Sequence, residues 1–146
     1  MHLKTIQSIA VSGKKILLRL DLDVPLSATG DIADTTRLKA GTETLQYLLS
    51  HGAIVIICGH MGRPNGEIKK EDSLEPVAKW LANELRITNY ELRMKETKLG
   101  EFVGWELSNN LYVLENLRFF PGEEENDPAF AKQLAALADI YVDDAF

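Results

Sequence analysis

The run Ile54-Val55-Ile56-Ile57-Cys58 constrains this chain more than any other stretch, because it sets five apolar residues in succession with no polar alternation. A strand with one wetted face alternates, so an unbroken apolar run reads as a strand covered on both sides, the condition of a central strand in a parallel sheet. Gly59, His60, Met61, Gly62, Arg63 and Pro64 follow directly. The two glycines free the backbone, and a His and an Arg stand beyond the strand's carboxyl end, where open α/β sheets bind ligands. An Arg fork matches phosphate and carboxylate geometry, so the pair points to an anion. For this loop alone, a surface Arg and a satisfied His in an ordinary turn is the plainer alternative.

The remaining segments repeat the pattern. Residues 16–18 are apolar and pass into strict alternation over 19–23, so a strand is expected to enter buried and emerge with Arg19, Asp21 and Asp23 on one polar face, ending at Pro25. Asp34, Thr35 and Thr36 offer caps to a helix with Leu38, Gly41, Leu45, Leu48 and Leu49 on its stripe, stopped by Gly52. Arg37 opens that helix, where a cation opposes the helix dipole, a local conflict of the kind that function tolerates. Ser73 caps a second helix carrying Leu74, Val77, Ala78, Leu81 and Leu85, with Trp80 packing beside the stripe. A short strand is expected over 90–94 and a short helix over 96–104. Residues 111–114 form the next buried strand, which delivers another Arg, Arg118. Glu123, Glu124 and Glu125 read as a solvated loop rather than a metal site. Asp127 and Pro128 start a helix burying Phe130, Ala131, Leu134, Leu137 and Ala138. Ile140, Tyr141 and Val142 begin a last strand, and the chain stops at its business end, so it is expected to be a fragment.

Strands alternating with helices imply right-handed crossovers and a parallel sheet with helices on both faces. A chain of 146 residues suits one domain. Its 45% hydrophobic and 26% charged residues belong to a globular protein, and a net charge of -6 argues against nucleic acid as partner. An anion site here must be a local basic cluster. Cys58 is the only cysteine, which rules out an internal disulfide and reads as a small buried hydrophobe. There is neither a signal-peptide core nor an apolar run long enough to span a bilayer, so a cytoplasmic location without membrane contact is expected. G-x-G-x-x-G after the first strand and the P-loop are both absent.

Arg37, His60, Arg63 and Arg118 all fall at loops that a parallel topology brings to one sheet edge. Like charges repel unless an anion is shared between them, so their convergence in an acidic chain points to a bound anion.

These segments resemble the phosphoglycerate kinase family, in its N-terminal domain: RLDLDVPL at 19–26, DTTR at 34–37, GHMGRP at 59–64, SLEPVA at 73–78, LENLRFFPGEEENDPAFAKQLA at 114–135 and YVDDAF at 141–146. They stand in family order and cover nearly the whole chain. The resemblance implies a three-layer αβα domain with a mostly parallel, Rossmann-like sheet, incomplete at its C-terminal end. It implies a role in glycolytic phosphoryl transfer between 1,3-bisphosphoglycerate and Mg-ADP, giving 3-phosphoglycerate and Mg-ATP. By matching motif, Asp21 and Asp23 would contact the glycerate part, His60 and Arg63 would hold the 3-phosphate end, Arg118 would ligate that phosphate, and Arg37 would be catalytic, stabilising the transferring phosphoryl. Mg2+ with ATP or ADP would belong to a C-terminal nucleotide domain absent from this chain, which is expected to hold no cofactor or metal itself and to be inactive alone. The full enzyme is expected to be monomeric.

The chain departs from the family where Asp23 and Asp143 replace family asparagines, and where the G-T-A-H-R continuation is missing. A carboxylate at position 23 accepts but cannot donate, and it repels an anion by up to about 4 kcal/mol at close range and intermediate dielectric. Two rival readings remain at this level. Asp21-Leu22-Asp23-Val24 resembles the D-x-D nucleophile motif of haloacid-dehalogenase-like phosphatases, with Asp21 as nucleophile, Asp23 as acid/base and Mg2+ between carboxylates. The other is a free-standing module that binds a small anion.

Overall fold

The computed structural model of the chain describes residues 3–145; Phe146, which closes the YVDDAF segment, lies outside them. Among the described residues one sheet is built from β1 (Lys15–Leu20), β2 (Ile54–Cys58), β3 (Lys95–Leu99), β4 (Phe102–Ser108), β5 (Leu111–Leu114) and β6 (Ile140–Asp144). Their spatial order is β3-β4-β5-β2-β1-β6. β5, β2, β1 and β6 run parallel, while β3 and β4 add an antiparallel margin beside β5. The helices are α1 (Thr36–Ser50), α2 (Glu75–Glu84), α3 (Tyr90–Arg93), α4 (Pro121–Glu124) and α5 (Pro128–Ala135).

The apolar run forms β2, and it is covered on both faces. Val55 and Ile57 pack into a core with Leu38, Leu45 and Leu48 of α1 and Val77, Ala78 and Leu81 of α2. Ile56 and Cys58 turn the other way, into a smaller core with Phe102, Leu114, Leu117 and Phe130 of α5. Phe102, Phe120 and Phe130 meet there with ring centroids 5.3 to 5.7 Å apart, and the Phe102 ring packs edge-on against the other two. Helices on opposite faces of a mostly parallel sheet make the expected three-layer α/β fold. Burial raises the Cys58 thiol pKa to about 12, so the cysteine is inert at neutral pH.

β1 ends at Leu20 rather than continuing to Asp23, because neither neighbour reaches further: Cys58 of β2 pairs with Arg19 and Asp144 of β6 with Leu20. The alternation outlasts the ladder, with Leu22 and Val24 buried and Asp21 and Asp23 half-buried. Helix starts follow the sequence. The Asp34 carboxylate accepts from the Thr36 N–H at 2.8 Å, and that of Asp127 from the Ala129 N–H at 3.2 Å, with Pro128 in the first turn of α5.

Two local expectations fail. Residues 90–94 are not a strand, since Tyr90–Arg93 is the short helix α3. Residues 96–104 are not a helix either; they lie in the β3–β4 hairpin, which turns at Gly100 with φ +57. Charged Lys95, Glu96 and Lys98 mask the strand period, but β3 is an edge strand and edges carry charge readily. Gly104 also looks like a strand breaker. A Cβ there would collide with the Val113 carbonyl oxygen of β5, so glycine is what lets β4 close on its neighbour.

Because that obstacle is backbone, it cannot swing aside. Gly104→Ala is expected to destabilise the fold by about 1–3 kcal/mol, read as a lower denaturant midpoint at unchanged slope; a midpoint equal to the parent's would refute the close approach.

Candidate anion-binding site

Parallel pairing places the carboxyl ends of β1, β2, β5 and β6 on one edge, and the loops leaving the first three carry most of the candidate residues. The 21–23 turn leaving β1 lies between Arg37 and the 59–64 loop. The Arg37 Nε lies 3.6 Å from the Asp21 carboxylate, and its Nη1 donates to the Asp23 carbonyl at 2.9 Å. The Asp23 carboxylate accepts from the Gly62 N–H at 3.0 Å through Oδ1, while Oδ2 lies 3.9 Å from His60 Nε2. Arg37, at the start of α1, and the 59–64 loop after β2 therefore meet across one turn. With its side chain 58% exposed, Arg37 gains little stability from its carboxylate partner. Its position at a helix start has a local explanation only in those partners.

Arg118 leaves β5 in the short 3-10 turn Leu117–Phe119. Its Nε donates to the Glu123 carboxylate at 3.1 Å and lies 3.7 Å from that of Glu124. Glu123 and Glu124 are thus not members of a free solvated loop; they sit in α4 as counter-charges to the arginine. Among the described residues the Nη groups of Arg118 make no hydrogen bond. Arg63 is exposed and makes no hydrogen bond or ion pair among the described residues. Gly62, beside it, holds φ +63 with Asp72 packed where a Cβ would be, so the loop needs glycine at this position.

His60 is partly buried, and burial lowers its pKa below the ordinary imidazole value; the nearby Arg118 charge pushes the same way, and Asp23 opposes both. At neutral pH the ring is therefore uncharged, and its contact with Asp23 is not an ion pair. An arriving anion would reverse that balance by favouring the imidazolium.

Three residues outside the candidate set matter here. Glu115 accepts from the Ser73 hydroxyl and the Leu74 N–H, both at 2.7 Å, and from the Asn116 N–H at 2.8 Å, which ties the end of β5 to the start of α2. Asn116 is fully buried. Arg19 lines a cleft of about 460 Å3 under α5 with His60 and Tyr141, and Asp143 is its partner across the β1–β6 pairing. The sequence signal for Arg19 was its break in an otherwise apolar strand; Glu115 and Asn116 gave none beyond their place after β5.

A mostly parallel sheet with helices on both faces and cationic side chains at the carboxyl end of its strands belongs to the α/β class, whose ligands bind at that edge. Residues 6–146 match the sequence model described as phosphoglycerate kinase. The chain is 44% identical over 147 residues to the phosphoglycerate kinase of Desulforudis audaxviator (strain MP104C), covering 98% of this chain and 37% of that protein. It is 46% identical over 140 residues to that of Picosynechococcus sp., covering 93% of this chain and 34% of that protein. Among solved structures, phosphoglycerate kinase from Coxiella burnetii superposes with a TM-score of 0.78 at 32% identity, over 96% of this chain and 34% of that one. The chain belongs to the phosphoglycerate kinase family and spans a little over a third of the length of the relatives it matches. The match takes in the GHMGRP and LENLRF segments, which the D-x-D reading left unexplained.

The depressed His60 pKa has a sign in stability. The unfolded chain takes up the proton first, so stability is expected to fall as pH drops from about 6.5, the ordinary histidine value, through the lower folded value. His60→Gln should flatten that part of the profile, measured as urea midpoints across pH 5 to 7; an unchanged slope would show that the ring titrates normally.

Proposed function

We propose that this chain is the phosphoglycerate-binding part of a phosphoglycerate kinase. The reaction is reversible transfer of a phosphoryl group between 1,3-bisphosphoglycerate and Mg-ADP, in which an ADP β-phosphate oxygen attacks phosphorus and the 3-phosphoglycerate carboxylate departs. The observation that carries the reading is that Arg37 of α1, His60 of the loop after β2 and Arg118 of the turn after β5 lie along one edge of the sheet in a chain of this family.

Phosphoryl transfer draws little on covalent help and depends on positioning and on cations aimed at the equatorial oxygens. Arg118 and Arg63 are assigned to the 3-phosphate, with His60 joining as an imidazolium once the anion is bound. Asp21 orients Arg37, and Arg37 is assigned to the phosphoryl in flight, which its exposed position leaves it free to reach. Mg2+ and the adenine nucleotide are assigned to a domain outside this chain; when bound, the metal neutralises charge on the transferring oxygens. On this reading the chain alone binds the acid but does not turn it over.

Asp23 is the feature that sets this chain apart. One carboxylate oxygen is committed to the Gly62 N–H, and the other faces the His60 side of the site. An amide would keep the first contact and replace the second oxygen by a donor.

Titration with 3-phosphoglycerate is expected to shift the amide resonances of Arg37, His60, Arg63 and Arg118 together; shifts confined to other regions would overturn the assignment. Asp23→Asn is expected to tighten that binding about fivefold or more, the value of roughly 1 kcal/mol of relieved repulsion at a partly exposed position. An unchanged dissociation constant would mean that the carboxylate does not face the ligand.

A further inference from the structure

Asn116 is the only fully buried polar side chain among the described residues. Its Oδ1 accepts from the Arg118 N–H at 3.0 Å and from the Met61 N–H at 3.3 Å. Its Nδ2 donates to the Met61 carbonyl at 2.7 Å and to the Asp72 carbonyl at 2.9 Å. Both donor hydrogens and both acceptor directions of one amide are used. Met61 stands between His60 and the Gly62-Arg63 pair, so the amide grips the loop that carries His60 and Arg63 and the turn that carries Arg118. Backbone bonds from the Leu117 N–H to the Gly59 carbonyl and from the Gly66 N–H to the Arg118 carbonyl, both 3.1 Å, run alongside.

The Arg118 charge acts on the His60 ring across this joint and opposes its protonation, so the two segments repel when the ring is charged and no anion lies between them. The two backbone segments therefore need a fastening that adds no charge, and a saturated amide in a dry core supplies it. The residue is too deeply buried to reach a ligand itself.

We propose that Asn116 is a positioning residue of the anion site: it fixes the separation between the His60–Arg63 loop and the Arg118 turn, and thereby the affinity for the anion. The inference rests on the reading that these cations bind 3-phosphoglycerate. The test compares Asn116→Asp, which keeps shape and acceptors but loses both donors, with Asn116→Ser, which shortens the side chain without adding charge. Leu111→Ala, a core truncation at the opposite end of β5, serves as control for lost stability alone.

All are measured at a temperature where circular dichroism shows them folded. Both Asn116 variants are expected to weaken 3-phosphoglycerate binding by about tenfold or more, and the control by less than about twofold. In ligand-free Asn116→Ser, the His60 ring, followed by NMR, is expected to titrate closer to the ordinary histidine value as Arg118 moves away from it. Folded Asn116 variants that bind like the parent would overturn the proposal, as would variants that never fold, since the amide would then serve the fold at large. If the parent itself fails to bind 3-phosphoglycerate, the functional reading falls, and the His60 titration alone decides: a shift upholds the positioning role and no shift ends it.

Discussion

Parallel pairing of β5, β2, β1 and β6 is the constraint on which everything else in this molecule depends. Parallel strands cannot be joined by tight turns, so each crossover carries the chain back over a face of the sheet and every strand exits at the same edge. Loops separated by long stretches of sequence are thereby made neighbours without any contact having to be specified for that purpose. The hydrophobic demand of β2, buried on both faces, is what enforces the arrangement, because helices must then lie on either side of it.

The edge so formed sets a carboxylate beside each of Arg37, His60 and Arg118. Asp21 lies against Arg37, Asp23 near His60, and Glu123 and Glu124 against Arg118. These contacts are mostly half-exposed and contribute little to folding. Their effect is on orientation: Glu123 and Glu124 hold the Nε side of Arg118. Side chains held this way are ordered without a ligand, and on the proposed function that spares part of the entropic cost of binding.

The sequence made the parts governed by short-range rules easy to read. The unbroken apolar run, the Asp34 and Asp127 caps and the leucine stripe of α1 each depend on residues within a few positions, and each lies where the pattern puts it. The cationic edge was legible one step further out, because topology follows from the alternation of elements. What escaped was decided by distant partners. The β3–β4 hairpin looks helical or irregular until Val113 explains Gly104, and an asparagine after a strand reads as a turn residue until its partners are known. Two of those partners lie 55 and 44 positions away along the chain, at Met61 and Asp72.

The two margins of the sheet are unequally guarded. β3 ends one side with Lys95, Glu96 and Lys98, whose charges discourage a further strand from docking. At the other side β6 presents Tyr141, 55% exposed, beside a groove rather than a ladder partner, with residues 4–9 only flanking it. Among the described residues the outer flank of β6 carries two carboxylates, Asp143 and Asp144, beside that ring, whereas β3 carries two lysines and one glutamate, so the two margins of the sheet differ in the sign of their charge.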